Sequence, residues 1–374
     1  MRIRAAVLEA SPATMPYAVS RPLRVQEVEL APPGNGEVLV KIGAAGLCHS
    51  DLSVINGDRP RPLPMVLGHE SSGTVVECGP GVHDLSVGDH VVLVFVPSCG
   101  SCIPCAEGRP ALCEPGAATN AAGTLLSGGR RLTVQRQAVN HHVGVSCFAE
   151  HAVVSRRSCV RIEADLGHAE AALFGCAVLT GVGAVVNTAR VPAGSRVAVL
   201  GLGGVGLNAL MAAVASGARD VVALDLNDSK LELAKTLGAT ATVNAGSEDA
   251  AEEVRAITGG GVDFAFEMAG SAKAMELAYR ITRRGGSTIS AGLPPADHRF
   301  ALPLTQMVAE ERSIRGSYIG SSVPLRDIPR YVDLYLRGKL PVDRLMGERL
   351  ALNDINRGFD RLASGHALRD VVVF

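Results

Sequence analysis

The sequence has no tryptophan and few aromatic residues of any kind: five Tyr and eight Phe among 374 residues. Its core must therefore be filled by Val, Ala and Leu. It also lacks a charge excess. Thirty-six Lys and Arg stand against 37 Asp and Glu, for a formal charge of −1, which argues against a binder of nucleic acid or of an anionic membrane, since either would need a basic excess. The first residues, MRIRAAVLEASPATM, contain no apolar run long enough for a signal peptide and read as a strand. Residues 171–189 and 197–218 are free of charge and near the length of a membrane span. Gly175, Thr180, Gly181, Gly183 and Asn187 interrupt the first, and a glycine-rich turn opens the second, so both are expected to be buried in a cytoplasmic protein. The nine cysteines are then expected as thiols and metal ligands rather than disulfides. What remains is 47% apolar and 20% charged, with 42 glycines, the composition of a globular α/β chain of two or three domains.

Short Val-rich runs at 37–44, 73–78 and 90–96, punctuated by Gly and Pro, predict a barrel-like β region in the first third. From about residue 180 the rhythm changes. Strands are expected at 196–200, 220–225, 242–244, 262–267 and 287–291, with helices at 205–216, 229–237, 250–258 and 272–283 between them. That alternation predicts a doubly wound parallel sheet. Helices at 328–337 and 353–363 and a strand at 370–374 follow. Residues 114–142 form a polar insertion to which the sequence assigns no element.

Gly201-Leu-Gly203-Gly204-Val205-Gly206 follows the apolar run 196–200 and opens a helix. In a dinucleotide fold the first glycine makes the tight turn, the second admits a pyrophosphate, and the third lets helix and strand pack closely. The run 221–225 ends in Asp225, 19 positions after Gly206, where a carboxylate accepts the adenosine ribose hydroxyls. The same charge repels a 2′-phosphate, and Leu226-Asn227-Asp228 supplies no Arg to receive one, which favours NAD over NADP.

Cys99, Cys102, Cys105 and Cys113 are spaced C-x2-C-x2-C-x7-C. Four thiolates within 15 residues close a tetrahedral shell and leave no position for substrate, so the bound zinc would be structural. An iron–sulfur cluster is the alternative that spacing leaves open. An open, catalytic metal needs three protein ligands. Cys48, His69 and Cys176 are candidates by residue type, but they lie too far apart in sequence for spacing to join them.

Taken in order, Cys48-His-Ser50-Asp51, Gly68-His69-Glu70, the four-cysteine segment, Gly175-Cys176, the Gly201 loop and Leu368-Arg369-Asp370 resemble the zinc-containing medium-chain alcohol dehydrogenases from end to end. The resemblance implies a GroES-like β-barrel catalytic domain at 1–177 and 320–374, with a structural-zinc lobe at about 97–114, around a Rossmann domain at 178–319. It implies two zinc ions per chain, NAD, a small alcohol or aldehyde substrate, and a homodimer or homotetramer. Cys48, His69 and Cys176 become the catalytic-zinc ligands. Ser50 becomes a proton-relay hydroxyl, Asp51 the carboxylate that orients His69, and Glu70 an acid near the metal. His49 and Arg369 are implied at the cofactor pyrophosphate and Lys230 at the adenosine ribose. Thr180, Gly204 and Val205 complete the cofactor set. One position departs: where liver-type enzymes end the relay in a His, this chain has Ser53, so the relay is expected to stop at the cofactor ribose, to exit through water, or to use another catalytic base such as His49.

By the same resemblance Phe95, Val143 and Ile319 line an apolar substrate channel. Arg130 and Arg131 occupy the insertion on which thiol-dependent formaldehyde dehydrogenases bind the carboxylate of a thiol adduct, while the His141-His142 pair is read as structural. The leading expectation is NAD-linked oxidation of a primary hydrophobic or aromatic alcohol. The alternatives are oxidation of an S-hydroxymethyl thiol, or a non-catalytic NAD-binding protein of the same fold.

Overall fold

The computed structural model describes residues 1–163, 165–365 and 367–374. The chain forms two compact units, one of Met1–Cys176, Val323–Val332 and Asp343–Phe374, the other of Ala177–Ser322 and Asp333–Val342.

The second unit is built on six parallel strands: β1 (Arg196–Leu200), β2 (Asp220–Asp225), β3 (Ala241–Asn244), β4 (Val262–Glu267), β5 (Thr282–Ser290) and β6 (Ser313–Gly316). Their order across the sheet is β3-β2-β1-β4-β5-β6, the arrangement of dinucleotide-binding sheets. The central strands read as unbroken apolar runs because helices cover both faces. Ala198, Leu200, Val222, Leu224 and Ala265 meet Val254, Ala278 and Ile281 in one buried cluster. The helix expected to run through residue 283 ends at Ile281, and β5 begins at once. Thr282 turns the chain there, its hydroxyl donating to the Ala278 carbonyl (2.7 Å) and meeting Thr288 Oγ1 at 2.9 Å. The charge-free stretch 171–189 is buried structure over most of its length, and among the described residues no single helix is long and apolar enough to cross a membrane.

In the first unit the expected β region has two parts. Strands Arg2–Leu8, Leu23–Leu30, Leu132–Val134, Gln137–His141 and Met65–Val66 close a barrel, and a larger sheet centres on the strand Glu37–Gly46. That central strand pairs antiparallel with Ser71–Cys78, His151–Ser155 and Val371–Val373, with register shifts against Ser71–Cys78 between Leu39 and Val40 and between Ile42 and Ala44, and it ends two residues before Cys48. With aromatics scarce, aliphatic side chains dominate the core, joined by the edge-to-face pair of Phe148 and Phe359, with ring centres 5.9 Å apart.

The insertion 114–142 is ordered. It holds a helix, Glu114–Ala122, and the hairpin Leu132–Val134/Gln137–His141. The hairpin turn places Gln135 and Arg136 at φ +50° and +67°, a conformation usually announced by Asn-Gly. Without that signal the sequence shows no hairpin.

Candidate metal and cofactor sites

Cys48 lies just beyond the central strand, at the N-cap of the helix His49–Ile55. His69 sits in the crossing from Met65–Val66 to Ser71–Cys78, and Cys176 follows the turn Leu173–Gly175. The fold brings these distant residues together: their donor atoms all lie within 4.8 Å of one another, and all three side chains are buried. Cys48 Sγ and Cys176 Sγ are 4.0 Å apart, close to the ~3.8 Å edge of a tetrahedron with 2.3 Å zinc–sulfur bonds. His69 Nδ1 lies 3.1 Å from the Asp51 carboxylate, and its buried Nε2 has no hydrogen-bond partner. Hydrogen bonding to Cys176 holds the Cys48 thiol well below its ordinary pKa, against burial and with the help of Arg369 and His69. Two sulfurs and one imidazole nitrogen fit a tetrahedral zinc with one position left open.

Glu70 is fully buried and paired with the buried Arg369 at 3.0 Å. Burial nevertheless raises the Glu70 carboxyl to about 7, with the Arg369 charge opposing. Arg369 also donates to the Leu47 carbonyl (3.0 Å). Ser50 is half-buried and His49 exposed, both in the first turn of the helix behind Cys48. Ser53 donates its hydroxyl to the His49 carbonyl at 2.8 Å, so it is held by its own helix.

The sulfurs of Cys99, Cys102, Cys105 and Cys113 also lie within 4.8 Å of one another, which leaves room for a single ion and not for a multi-iron cluster. Backbone amides surround them: Cys102 N–H donates to Cys99 Sγ (3.3 Å), and Cys99 N–H and Gly116 N–H donate to Cys113 Sγ (3.1 and 3.4 Å). The amides of Ser101 and Cys102 bring the Cys99 thiol down to about 6, while burial pushes Cys105 up to about 12 and raises Cys113. Zinc binding there would release protons from the latter two.

In the second unit the loop 201–206 takes the conformation its glycines allow. Gly201 has φ +89°, and a Cβ there would sit 2.7 Å from the Ala269 amide. A Cβ on Gly206 would collide with the Gly201 carbonyl, whereas at Gly203 it would meet no protein atom within 4 Å. Gly206 is small for packing, and Gly203 keeps an open cradle of the kind a pyrophosphate fills. Gly204 and Val205 start the helix Gly204–Ala215. Asp225 ends β2 and accepts from the Leu202 amide at 2.7 Å and the Asn227 amide at 2.9 Å. Lys230 is in the first turn of Asp228–Thr236, and Thr180 is buried in Ala177–Gly183.

Of the three channel residues, Phe95 sets its ring perpendicular to that of His69, with centres 5.0 Å apart. Val143 is buried at φ +44°, and Ile319, in the other unit, is buried at φ +49°. Left-handed geometry is rare for β-branched residues, so each is held there by its surroundings. Arg130 donates to Asn140 Oδ1 (2.8 Å) and the Ala122 carbonyl (3.0 Å). Arg131 is bound to the buried Glu37 at 2.7 Å. His141 Nε2 accepts the Arg131 amide (3.0 Å), which is the structural role expected of it. His142 is different: its Nδ1 is 3.1 Å from Asp51 Oδ1, beside His69. Nothing in the local sequence signals that meeting.

Residues 34–164 match the family described as alcohol dehydrogenase GroES-like domain, and residues 204–337 match the zinc-binding dehydrogenase family. The chain is 37% identical over 366 residues to an S-(hydroxymethyl)glutathione dehydrogenase of Synechocystis sp., covering 97% of this chain and 99% of that protein. It is 36% identical over 385 residues to the protein of the same name from Paracoccus denitrificans, covering both in full. Among solved structures it is similar to benzyl alcohol dehydrogenase from Acinetobacter calcoaceticus, with a TM-score of 0.93 and 34% identity over 100% of this chain and 99% of that one.

Proposed function

The chain belongs to the zinc-binding alcohol dehydrogenases, and from that premise we propose that it transfers hydride between a primary, hydrophobic or aromatic alcohol and NAD, giving the aldehyde. It is an oxidoreductase whose family works with zinc and a nicotinamide dinucleotide, which removes the reading as a non-catalytic binder. The observation that carries the proposal is the buried Cys48/His69/Cys176 set, with His69 Nε2 unpartnered and the Phe95 ring against the imidazole. Zinc held by these three residues would supply Lewis acidity to an alcohol or carbonyl oxygen. Asp51 fixes the His69 tautomer by taking Nδ1–H. Ser50, in the helix that begins at Cys48, is the hydroxyl that passes the proton outward, and Ser53 cannot extend that path as a His would. Glu70 and Arg369 compensate one another beneath the site. Asp225 and the open cradle at Gly203 support the choice of NAD. We assign the second zinc to the four-cysteine lobe, the protein to the cytoplasm and the assembly to a homodimer or homotetramer.

The names of the two relatives favour a second reading, oxidation of an S-hydroxymethyl thiol. Against it, the two arginines of the insertion are bound to Asn140, Ala122 and Glu37 of their own chain. NADH formation measured with benzyl-type alcohols, and with formaldehyde in the presence and absence of glutathione, decides between them. Turnover of the alcohols without thiol supports the first reading, and turnover of formaldehyde only with glutathione overturns it.

A further inference from the structure

Building on the assignment of Cys48, His69 and Cys176 as zinc ligands, we propose that His142 is a positioning residue for that centre, acting with Asp51 to hold the His69 ring.

Asp51 is fully buried, and its carboxylate is approached from three sides. The Gly68 amide donates to Oδ1 at 3.0 Å, His69 Nδ1 lies 3.1 Å from both oxygens, and His142 Nδ1 lies 3.1 Å from Oδ1. One carboxylate thus ties together two imidazoles, of which only His69 also faces the sulfurs. The His69 ring is confined by perpendicular rings, Phe95 at 5.0 Å and His142 at 5.5 Å, with interplanar angles of 85° and 84°. Its tilt is limited by the ring contacts and its rotation by the carboxylate, so Nε2 stays presented to Cys48 and Cys176.

His142 is itself well anchored. Its amide donates to Ser146 Oγ (2.8 Å), which in turn donates to the Val66 carbonyl (2.8 Å). Its carbonyl accepts from the Val145 amide at 3.0 Å and the Ser146 amide at 3.3 Å. Val143, Gly144 and Ser146 all have positive φ, a backbone path that two of these residues rarely adopt unless tertiary contacts require it. Asp51, His69 and His142 also come close enough to suggest a metal of their own. At 3.1 Å, however, the two imidazoles lie in direct charge contact with the carboxylate, and Oδ1 already carries the Gly68 amide.

The test compares purified holoenzyme with His142→Phe, which keeps a ring but loses the donor, and His142→Asn, whose amide nitrogen falls near the place of Nδ1. Zinc retention against a competing chelator and the absorption spectrum of cobalt-substituted protein are read in each, with the zinc of the four-cysteine lobe as internal control. Outer partners of metal ligands are worth about 10–100-fold in affinity. His142→Phe should release the labile zinc about tenfold more readily and shift the cobalt bands, and His142→Asn should restore most of both. Wild-type retention and spectrum in His142→Phe would overturn the proposal. If His142→Phe does not fold, His142→Gln takes its place, since its amide reaches toward the position of Nε2 and should behave as the disrupted variant; wild-type behaviour there overturns the proposal equally. Retention of both zinc ions in His69→Ala would refute the ligand assignment itself, a separate result.

Discussion

The two cysteine-bearing sites use similar donors for opposite ends. In the four-cysteine lobe the sulfurs would supply every ligand to a metal, and backbone amides occupy much of their remaining capacity, as at Cys99 and Cys113. At Cys48, His69 and Cys176 the shell stops at three, and the next neighbours are an aromatic wall, a paired Glu70–Arg369 and a carboxylate behind the imidazole. A closed shell contributes to folding, while an open one reserves a position for chemistry. The loop 201–206 repeats the contrast on a smaller scale, closed at Gly206 and open at Gly203.

The most severe challenge to this contrast is Cys176→Ala. Removing one of three ligands should lower kcat/KM by about a thousandfold or more, on the order of 4 kcal/mol of lost Lewis-acid stabilisation, with little change in thermal unfolding. Cys102→Ala should do the reverse. Loss of a structural-zinc ligand should lower Tm by several degrees, given about 2–4 °C per kcal/mol for domains of 150–250 residues, with kcat reduced far less than in Cys176→Ala. Calorimetry and steady-state kinetics on both variants check the pair, and equal effects in both assays would erase the distinction.

Asp225→Ser sharpens the comparison at the cofactor loop. Wild type should prefer NAD by about a hundredfold, roughly 3 kcal/mol. The substitution should narrow that ratio without reversing it, because no Arg arrives to receive a phosphate. Kinetics with both cofactors measure this, and comparable efficiencies in the wild type would remove Asp225 from the site. The smallest effect belongs to Arg130→Ala. With that guanidinium held by Asn140 and the Ala122 carbonyl, the ratio of activities toward benzyl-type alcohols and glutathione-bound formaldehyde should stay within about twofold; selective loss of the latter would show that Arg130 reaches substrate.

Features carried by contiguous residues are legible in the sequence alone: the Gly201 loop, Asp225, the four-cysteine spacing, and the alternating strands and helices of the second unit. Their physics is local. Cys48 and Cys176 are 128 positions apart and meet only because the end of the central strand and the turn before Cys176 bring them together, so resemblance, not spacing, supplies them. The Gln135-Arg136 hairpin carries no sequence signal because its left-handed turn is made without glycine. His142 looks like an ordinary core histidine because the partner that gives it meaning, Asp51, stands on a helix 91 positions earlier.

Cys113 has a second occupation. Its sulfur accepts the Gly116 amide as the N-cap of Glu114–Ala122, and near the far end of that helix Asn120 donates to the Phe95 carbonyl at 2.8 Å. The lobe is thereby the footing of a strut that props the wall beside His69. Disturbing the four-cysteine lobe would therefore do more than loosen a peripheral knot: the wall would lose its buttress.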